Sequence, residues 1–298
     1  MSASAAQLIR KTPLVPFEGA LLKLENLQWT GSFKIRGATR AIAELSTEKR
    51  AQGVVTASAG NHGAGLAAAG LAAGVSVVVF VPQGTPDIKR NQILSRGGTV
   101  EVAGENYEAS EIAARKLSKS TGKPFVSAFD DEAVIAGNGR DLGKEILGQY
   151  PRLKRILVPV GGGGLVSGMA QSLQPRGVEV IGVSPKNNCA MHESLRDGVC
   201  YSTYTGLATC AEGLEGPVCE RTLGYVRKYG VRVLLVSERE IEQAVVRLFN
   251  DAGQVVECSG AVATAGLVEH QIERDGTVVL VSGGNIDPGK LAPLLSKA

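Results

Sequence analysis

Short runs of β-branched residues alternate along this chain with longer segments of helical periodicity. Six runs predict buried parallel strands, at residues 54–56, 75–81, 156–160, 178–183, 231–236 and 277–281. Helical patterns cover residues 62–73, 107–118, 132–148, 165–173, 238–251 and 261–273. This alternation predicts an α/β fold, and 298 residues are enough for one large domain or two lobes.

The charge and composition favour a small-molecule partner over a nucleic acid. The net charge of +3 comes from 32 basic and 29 acidic residues, which are spread along the sequence without a basic stripe or an acidic tail. Aromatic residues make up only 4% of the chain, whereas 38 glycines allow many tight turns around a ligand.

The cysteines and the N-terminal segment predict a cytoplasmic protein. Five cysteines are an odd number and form no C-x-x-C pair, so we expect reduced thiols and neither a disulfide framework nor a zinc site. The first eleven residues contain no long apolar core, and no run reaches the roughly 18 apolar residues of a membrane helix. We therefore expect no membrane partner.

Four consecutive glycines form the clearest candidate binding loop. Gly161, Gly162, Gly163 and Gly164 follow a predicted strand and precede a helix, a geometry in which free amides and the helix N-terminus bind a phosphate. The motif alone also fits a tight turn without a ligand. Nucleotide-binding fingerprints fail here, because a Walker loop would need a lysine where Met169 stands. The phosphate is therefore expected to belong to another cofactor.

A lysine lies between apolar residues at the start of a predicted helix, in Ser32-Phe33-Lys34-Ile35-Arg36-Gly37-Ala38. Partial burial and the nearby helix N-terminus would both lower the pKa of Lys34 and free its amine to attack a carbonyl. A lone lysine would more often be a solvated residue in the first turn of a helix.

The heptapeptide resembles the cofactor-lysine motif of the threonine dehydratase and serine racemase family, which are pyridoxal-phosphate enzymes of fold type II, the tryptophan synthase β-like superfamily. Three further motifs match in order: Ser58-Ala59-Gly60-Asn61-His62-Gly63, the four glycines, and Ser282-Gly283-Gly284-Asn285-Ile286-Asp287. The resemblance implies two open three-layer α/β lobes with pyridoxal phosphate in the cleft. The large cofactor-binding domain would comprise residues 1–47 and 134–298, and the small domain residues 48–133.

The resemblance also implies roles for individual residues. Lys34 would carry the cofactor as a Schiff base and then move the substrate α-proton, with Phe33 against the pyridine ring. The four glycines would hold the phosphate, and Asn61 would bind the 3′-oxygen of the cofactor. The substrate carboxylate would bind at Ser58, Ala59, Gly60, Asn61 and His62.

Two further residues are expected at the cofactor by resemblance. Ser282 would face the pyridine nitrogen, and Glu257 would lie nearby. His62 and Glu257 also fit ordinary positions at the start of a helix, so their direct roles stay open.

Ala59 and Ser282 indicate which reaction the protein catalyses. Racemases of the family have a second serine at the position of Ala59, which serves as the acid-base group on the other face of the cofactor, so alanine favours elimination. A neutral hydroxyl at Ser282 leaves the ring a weaker electron sink, which also suits β-elimination. The predicted function is dehydration and deamination of a β-hydroxy amino acid, such as threonine or serine, to a 2-oxo acid and ammonia. Alternatives are β-replacement, racemisation and non-catalytic cofactor binding.

Several positions depart from the family pattern. Cys258 replaces a proline, and Gly137-Asn138-Gly139-Arg140-Asp141 replaces a Gly-Gln-Gly-Thr segment, so Arg140 is suspected of biasing the choice of substrate. The divalent-metal motif is only partly kept, with Glu212 present but Ala208 at its first acidic position, and we predict no metal. We also expect a homodimer without a C-terminal regulatory domain.

Overall fold

The computed structural model describes residues 8–296 and contains nine strands and thirteen α-helices within them. The strands are β1 (Leu14–Phe17), β2 (Ala20–Leu24), β3 (Val54–Ala57), β4 (Val77–Val81), β5 (Thr99–Val102), β6 (Arg155–Pro159), β7 (Glu179–Pro185), β8 (Arg232–Val236) and β9 (Thr277–Val281). All six predicted strands are present, as β3, β4 and β6 to β9, and the α/β class is confirmed.

The helices are α1 (Lys34–Ala43), α2 (Thr47–Gln52), α3 (Asn61–Ala73), α4 (Asp87–Leu94), α5 (Tyr107–Thr121), α6 (Glu132–Ile135), α7 (Leu142–Gln149), α8 (Gly164–Leu173), α9 (Ala190–Asp197), α10 (Glu220–Lys228), α11 (Glu238–Ala252), α12 (Cys258–Glu269) and α13 (Pro288–Leu295). Short 3₁₀ turns cover Glu25–Leu27, Gln174–Arg176 and Glu212–Leu214. A π-helix at Ala136–Asp141 joins α6 to α7, so the helix predicted at residues 132–148 is interrupted. The helix predicted at residues 261–273 is present as α12, although it begins earlier, at Cys258, and ends earlier, at Glu269.

A six-stranded sheet with the order β1-β2-β9-β6-β7-β8 organises one compact unit, which comprises Lys11–Phe33 and residues 139–296. All its strand pairs are parallel except the β1–β2 hairpin. That hairpin turns at Glu18 and Gly19, which both have positive φ, as a type I′ hairpin turn requires.

Alternate residues of the inner strands pack on opposite faces of this sheet. Ile156, Val158 and Leu280 face one core with α7, α8 and α10. Leu157 and Val279 face the other core with α11 and α12. Helices therefore cover both faces, as buried parallel strands require, and each fully buried aliphatic side chain contributes about 1.5–3 kcal/mol.

The second compact unit comprises residues 8–10 and Lys34–Asn138, and it contains the parallel sheet β3-β4-β5. Phe125 extends this sheet by one parallel bridge to Val55. Helices α1 and α3 pack with one face of the sheet, and Ala114 of α5 packs with Phe80 on the other.

The contacts within this unit extend beyond the predicted small domain at residues 48–133. Ile35 and Ile42 of α1 share a core with Leu66 of α3, and Val134 of α6 joins the same core. The contacts therefore group α1 and α6 with β3, β4 and β5. The two-domain assignment itself, whose terminal residues lie outside the described part of the chain, stays a prediction.

None of the helices within residues 8–296 has the length and apolar character needed to cross a membrane.

Candidate active site

Lys34 is the first residue of α1, as the sequence predicts. Its side chain is half-buried, and Nζ donates a hydrogen bond of 3.4 Å to the carbonyl oxygen of Ala128. The following residue, Ile35, is fully buried against α3 and fixes the start of the helix. The lysine is therefore held by its own unit rather than extended into solvent.

His62 lies in the first turn of α3 and is only 2% exposed. Burial and the nearby charge of Lys34 lower the pKa of this imidazole to about 3. The ring is therefore neutral at physiological pH, and Nε2 carries the proton that it donates to the carbonyl oxygen of Val126 at 3.2 Å. Nδ1 is buried and has no hydrogen-bond partner among the described residues.

The loop from Ser58 to His62, here called the Ser58 loop, connects β3 to α3. The Ser58 amide donates to the carbonyl oxygen of Phe80 on β4, and the Ser58 hydroxyl accepts from the Gly60 amide at 3.2 Å. Gly60 is exposed, and a Cβ added there would meet no atom within 4 Å. The loop thus presents polar side chains and open backbone at the positive end of a thirteen-residue helix.

Two carbonyl groups near Lys34 and His62 had no counterpart in the sequence analysis. The Val126 carbonyl accepts hydrogen bonds from both Thr56 and His62, and the Ala128 carbonyl accepts from Lys34. Residues 125–128 follow the edge of the small sheet through the bridge to Val55. Since every residue has a carbonyl, the sequence carries no signal for such a role.

The four glycines lie between β6 and α8 in the other unit, and Gly164 is the first residue of α8. Gly163 has a φ of +88°, which strongly favours glycine. A Cβ at Gly161 would lie 2.7 Å from the carbonyl oxygen of Leu214, and one at Gly163 would lie 2.4 Å from Cε of Met191. Both the conformation and the packing of this glycine loop (residues 161–164) therefore require the absence of side chains.

Ser282, Glu257 and Phe33 come together at the end of β9. The amide of Phe33 donates to the carbonyl oxygen of Ser282 at 3.0 Å, and the amide of Glu257 donates to that of Gly283 at 3.2 Å. A Cβ at Gly283 would lie 2.3 Å from the carboxylate of Glu257. The hydroxyl of Ser282 is buried and donates to the carbonyl oxygen of Ser259 over 3.4 Å, a long and weak bond.

The topology brings the glycine loop and Ser282 to one edge of the large sheet. Strands β6 and β9 are parallel neighbours, with Leu157 beside Val279, so their carboxyl ends meet at the same edge. Ligands of open α/β sheets bind at this edge. The phenyl ring of Phe33 is 9% exposed and packs in the core with Leu165, near the start of α8.

Ser32 is a further buried polar residue of this region, and no role was predicted for it from the sequence. It is fully buried, forms a bridge with Gly283, and its hydroxyl has no hydrogen-bond partner among the described residues. An unsatisfied buried hydroxyl costs about 1–3 kcal/mol. Its position in the Ser-Phe-Lys motif was the available sequence signal.

Three further residues that were singled out from the sequence, Arg140, Asp141 and Glu212, lie in two other parts of the structure. Arg140 and Asp141 lie in the π-helix, where the buried side chain of Asn138 accepts a hydrogen bond of 2.8 Å from the amide of Gly37. Glu212 forms an ion pair with Lys290. Among the described residues, no cluster of three or more potential metal ligands is present.

Comparison with known proteins gives the family. Residues 5–284 match the family model described as pyridoxal-phosphate dependent enzyme, and the chain belongs to this family. The catabolic L-threonine dehydratase TdcB of Staphylococcus aureus (strain N315) is 35% identical over 302 aligned residues, which cover 96% of this chain and 87% of that protein.

Two solved structures are also similar. The processed form of threonine deaminase isoform 2 from Solanum lycopersicum has a TM-score of 0.92 and 32% identity, covering 99% of this chain and 85% of that one. Serine racemase from Dictyostelium discoideum has a TM-score of 0.86 and 34% identity, covering 95% of each chain. The cofactor of the family is pyridoxal phosphate.

The residues present fit this cofactor. The glycine loop excludes side chains and lies at the positive end of the ten-residue helix α8, which suits a phosphate group. The buried hydroxyl of Ser282 makes only one long hydrogen bond, so it can turn toward a ring nitrogen at little cost. The hydroxyl of Ser32, near the same strand end, has no hydrogen-bond partner among the described residues and could therefore bond to a polar atom of a ligand.

Proposed function

We propose that this protein is a pyridoxal-phosphate-dependent ammonia-lyase that converts a β-hydroxy amino acid, threonine or serine, to a 2-oxo acid and ammonia. The dehydratase and deaminase named above support this choice by their similarity over most of the chain.

A single observation carries the choice of elimination: the position at which racemases of the family have a second proton-transfer serine is Ala59 in this chain. Ala59 has no acid-base side chain, and the buried His62 stays neutral because its pKa is about 3. Racemisation would need proton transfer on two faces of the substrate, whereas elimination needs one base.

In this proposal, Lys34 binds the cofactor and its amine takes the α-proton from the substrate. The hydrogen bond to the Ala128 carbonyl keeps the amine oriented. The neighbouring His62 is buried and neutral, so it adds no second positive charge beside Lys34. The amides and side chains of the Ser58 loop bind the substrate carboxylate at the positive end of α3. His62 contributes by holding the loop to Val126 rather than by moving protons.

Other residues would hold the non-reacting parts of the cofactor. The glycine loop would hold its phosphate, Asn61 would bind its 3′-oxygen, and Phe33 would contact its ring. When bound, pyridoxal phosphate supplies the electron-withdrawing ring that acidifies the substrate α-C–H bond. Ser282 would face the ring nitrogen with a neutral hydroxyl and would add no charge there. The carboxylate of Glu257 lies next to Gly283, the residue after Ser282.

The test is to incubate the protein and pyridoxal phosphate with threonine, serine, 3-hydroxyaspartate and a bulkier 3-hydroxy amino acid, measuring oxo acid, ammonia and the enantiomer of remaining substrate. We expect oxo acid and ammonia in equal amounts and no inversion. Lys34→Ala should lose this activity by at least about 10²–10⁴-fold. Lys49→Ala is the matched control, because the side chain of Lys49 is exposed and donates a hydrogen bond to the carbonyl oxygen of Gly122 in the same unit. Bound cofactor with inverted substrate, or with no product at all, would contradict the proposal.

We also propose that the protein acts in the cytoplasm as a homodimer. All five cysteines are free thiols, which suits a reducing compartment. The dimer rests on the family resemblance. Light scattering of the purified protein should give twice the mass of one chain, and the mass of a single chain would contradict the dimer.

A further inference from the structure

Two thiols far apart in the sequence meet beside the strand end that carries Ser282. Cys258 is the first residue of α12 and is 8% exposed, while Cys210 is half-buried just before the 3₁₀ turn at Glu212–Leu214. Both side chains pack into one apolar cluster with Ala211, Val256 and Ala261. A hydrogen bond between the thiols raises the pKa of Cys210 and lowers that of Cys258.

The backbone on both sides holds the two thiols together. The carboxylate of Glu238 accepts hydrogen bonds from the Cys210 amide at 2.7 Å and from the Thr209 hydroxyl at 3.0 Å. On the other side of Cys210, the amide of Gly213 donates to the hydroxyl of Ser259 at 2.9 Å. The loop is therefore attached to the first turns of both α11 and α12, and the contact between the thiols does not depend on a mobile side chain alone.

We propose that Cys210 and Cys258 are an oxidation site that hydrogen peroxide converts to a disulfide. The thiolate of Cys258 attacks one peroxide oxygen, the O–O bond breaks, and the sulfur becomes a sulfenic acid as hydroxide takes up a proton and leaves as water. The sulfur of Cys210 then attacks the oxidised sulfur, the S–O bond breaks, and a second water leaves with the proton of Cys210. Two thiols are oxidised and one peroxide is reduced to two waters. A dithiol reverses the bond by exchange.

The disulfide changes the proposed cofactor site, a consequence that rests on the proposed function. Cys258 lies between Glu257, whose amide bonds to Gly283, and Ser259, whose carbonyl accepts from Ser282. An S–S bond of about 2.05 Å is much shorter than a contact between two thiols. Formation of the disulfide would therefore shift the first turn of α12, and with it Glu257 and Ser259, away from its present position beside Ser282.

Cys258→Pro tests the pair without weakening the helix. Proline is favoured at the first position of a helix, and Glu257 already has the extended conformation, with φ −76° and ψ 157°, that a residue before proline adopts. Cys210→Ser removes the partner. Cys189→Ser is the matched control, because Cys189 is also a buried thiol but hydrogen-bonds to Lys186 and Glu193.

The experiment exposes the cofactor-loaded full chain to hydrogen peroxide, blocks remaining thiols, digests the protein without reduction, and identifies linked peptides by mass spectrometry. We expect one peptide joining Cys210 to Cys258 in the unmodified sequence and in Cys189→Ser, and none in Cys258→Pro or Cys210→Ser. Oxo-acid production should fall severalfold on oxidation and recover with dithiothreitol, only in the two proteins that form the link.

Specific results would overturn the inference. Peroxide that leaves both thiols unlinked, or that joins either one to another cysteine such as Cys219, excludes the pair. A Cys210–Cys258 link that leaves both oxo-acid production and the cofactor absorption band unchanged excludes the effect on the site. The peptide readout does not depend on catalysis, so failure of the proposed function is distinguishable from failure of the thiol pair.

Discussion

The Ser58 loop and the glycine loop occupy the same position in their respective units but are built differently. Each follows a parallel strand and opens a helix, α3 in one unit and α8 in the other. In the Ser58 loop, a Cβ added at Gly60 would meet no atom within 4 Å, and the loop also contains the polar residues Ser58 and Asn61. In the glycine loop, Gly161 and Gly163 are enclosed by Leu214 and Met191.

The difference supports the proposal that the two loops bind different anions, a cofactor phosphate at the glycine loop and a substrate carboxylate at the Ser58 loop. A loop without side chains lets backbone amides approach a phosphate that stays bound through every turnover. A loop with a serine, an asparagine and free space suits a substrate carboxylate that must enter and leave. The comparison therefore predicts that changes in the glycine loop act on cofactor retention and stability, whereas changes in the Ser58 loop act on substrate and product.

The largest effect is expected for Gly163→Ala. The φ of +88° is strained for alanine, and the added Cβ would meet Met191 and lie 3.0 Å from Cβ of Thr222. We expect the free energy of unfolding to fall by about 2–4 kcal/mol and the affinity for pyridoxal phosphate to fall at least about tenfold. Urea denaturation and cofactor titration measure both. Unchanged cofactor affinity would break the assignment of this loop to the phosphate.

A smaller effect, on acid stability, is expected for His62→Gln. The pKa of His62 is about 3 in the folded protein and about 6.5 in the unfolded chain, so the unfolded chain binds the proton more readily. The folded protein therefore loses stability as the pH falls below 6.5. Between about pH 7 and about pH 5, the unfolding free energy should fall by about 2 kcal/mol more in the unmodified protein than in the variant. If the free energy of unfolding depends on pH in the same way in both proteins, His62 is not a buried, neutral residue.

Ala59→Ser adds the hydroxyl that the Ser58 loop lacks. We expect a low rate of substrate inversion to appear, with oxo acid still the main product, because the hydroxyl can donate a proton that Lys34 cannot deliver from its own side. Chiral chromatography of remaining serine measures the change. Complete conversion to a racemase would show that Ala59 alone decides the reaction, and no inversion would show that the loop does not reach the substrate.

The smallest effect is expected for Gly60→Ala. Its φ of −122° is open to any residue, and no atom lies within 4 Å of the added methyl group. The unfolding free energy should change by less than about 1 kcal/mol, and cofactor affinity should not change. Measuring KM for the amino acid separately from kcat then detects contact of this loop with the substrate. A stability loss equal to that of Gly163→Ala would remove the contrast between the loops.

The sequence was most informative where burial is uniform. The inner strands β6, β7 and β9 are mostly apolar and buried, and their alternation with helices predicted the class of fold. Strand β5 was missed because its residues are mostly exposed and include Glu101, and β2 because Lys23 interrupts its apolar run.

Lys23 also shows why part of the interior could not be predicted. It is fully buried, and its amine bonds to Glu145 at 2.5 Å, Gln149 at 2.7 Å and the Thr12 carbonyl. These partners are distant in the sequence, and charged residues are expected at the surface until such partners are known. The neutral state of His62 and the contact between Cys210 and Cys258 likewise depend on long-range packing, whereas Lys34 and the glycine loop carry local motifs.

The proposed function depends most directly on Lys34 being the lysine to which the cofactor is attached. Borohydride reduction of the protein with bound pyridoxal phosphate converts the cofactor–lysine double bond to a stable single bond, and peptide mass spectrometry then identifies the labelled residue. We expect a single labelled peptide, the one that contains Lys34. A label on a different lysine, or stable cofactor binding without any labelled lysine, would contradict it.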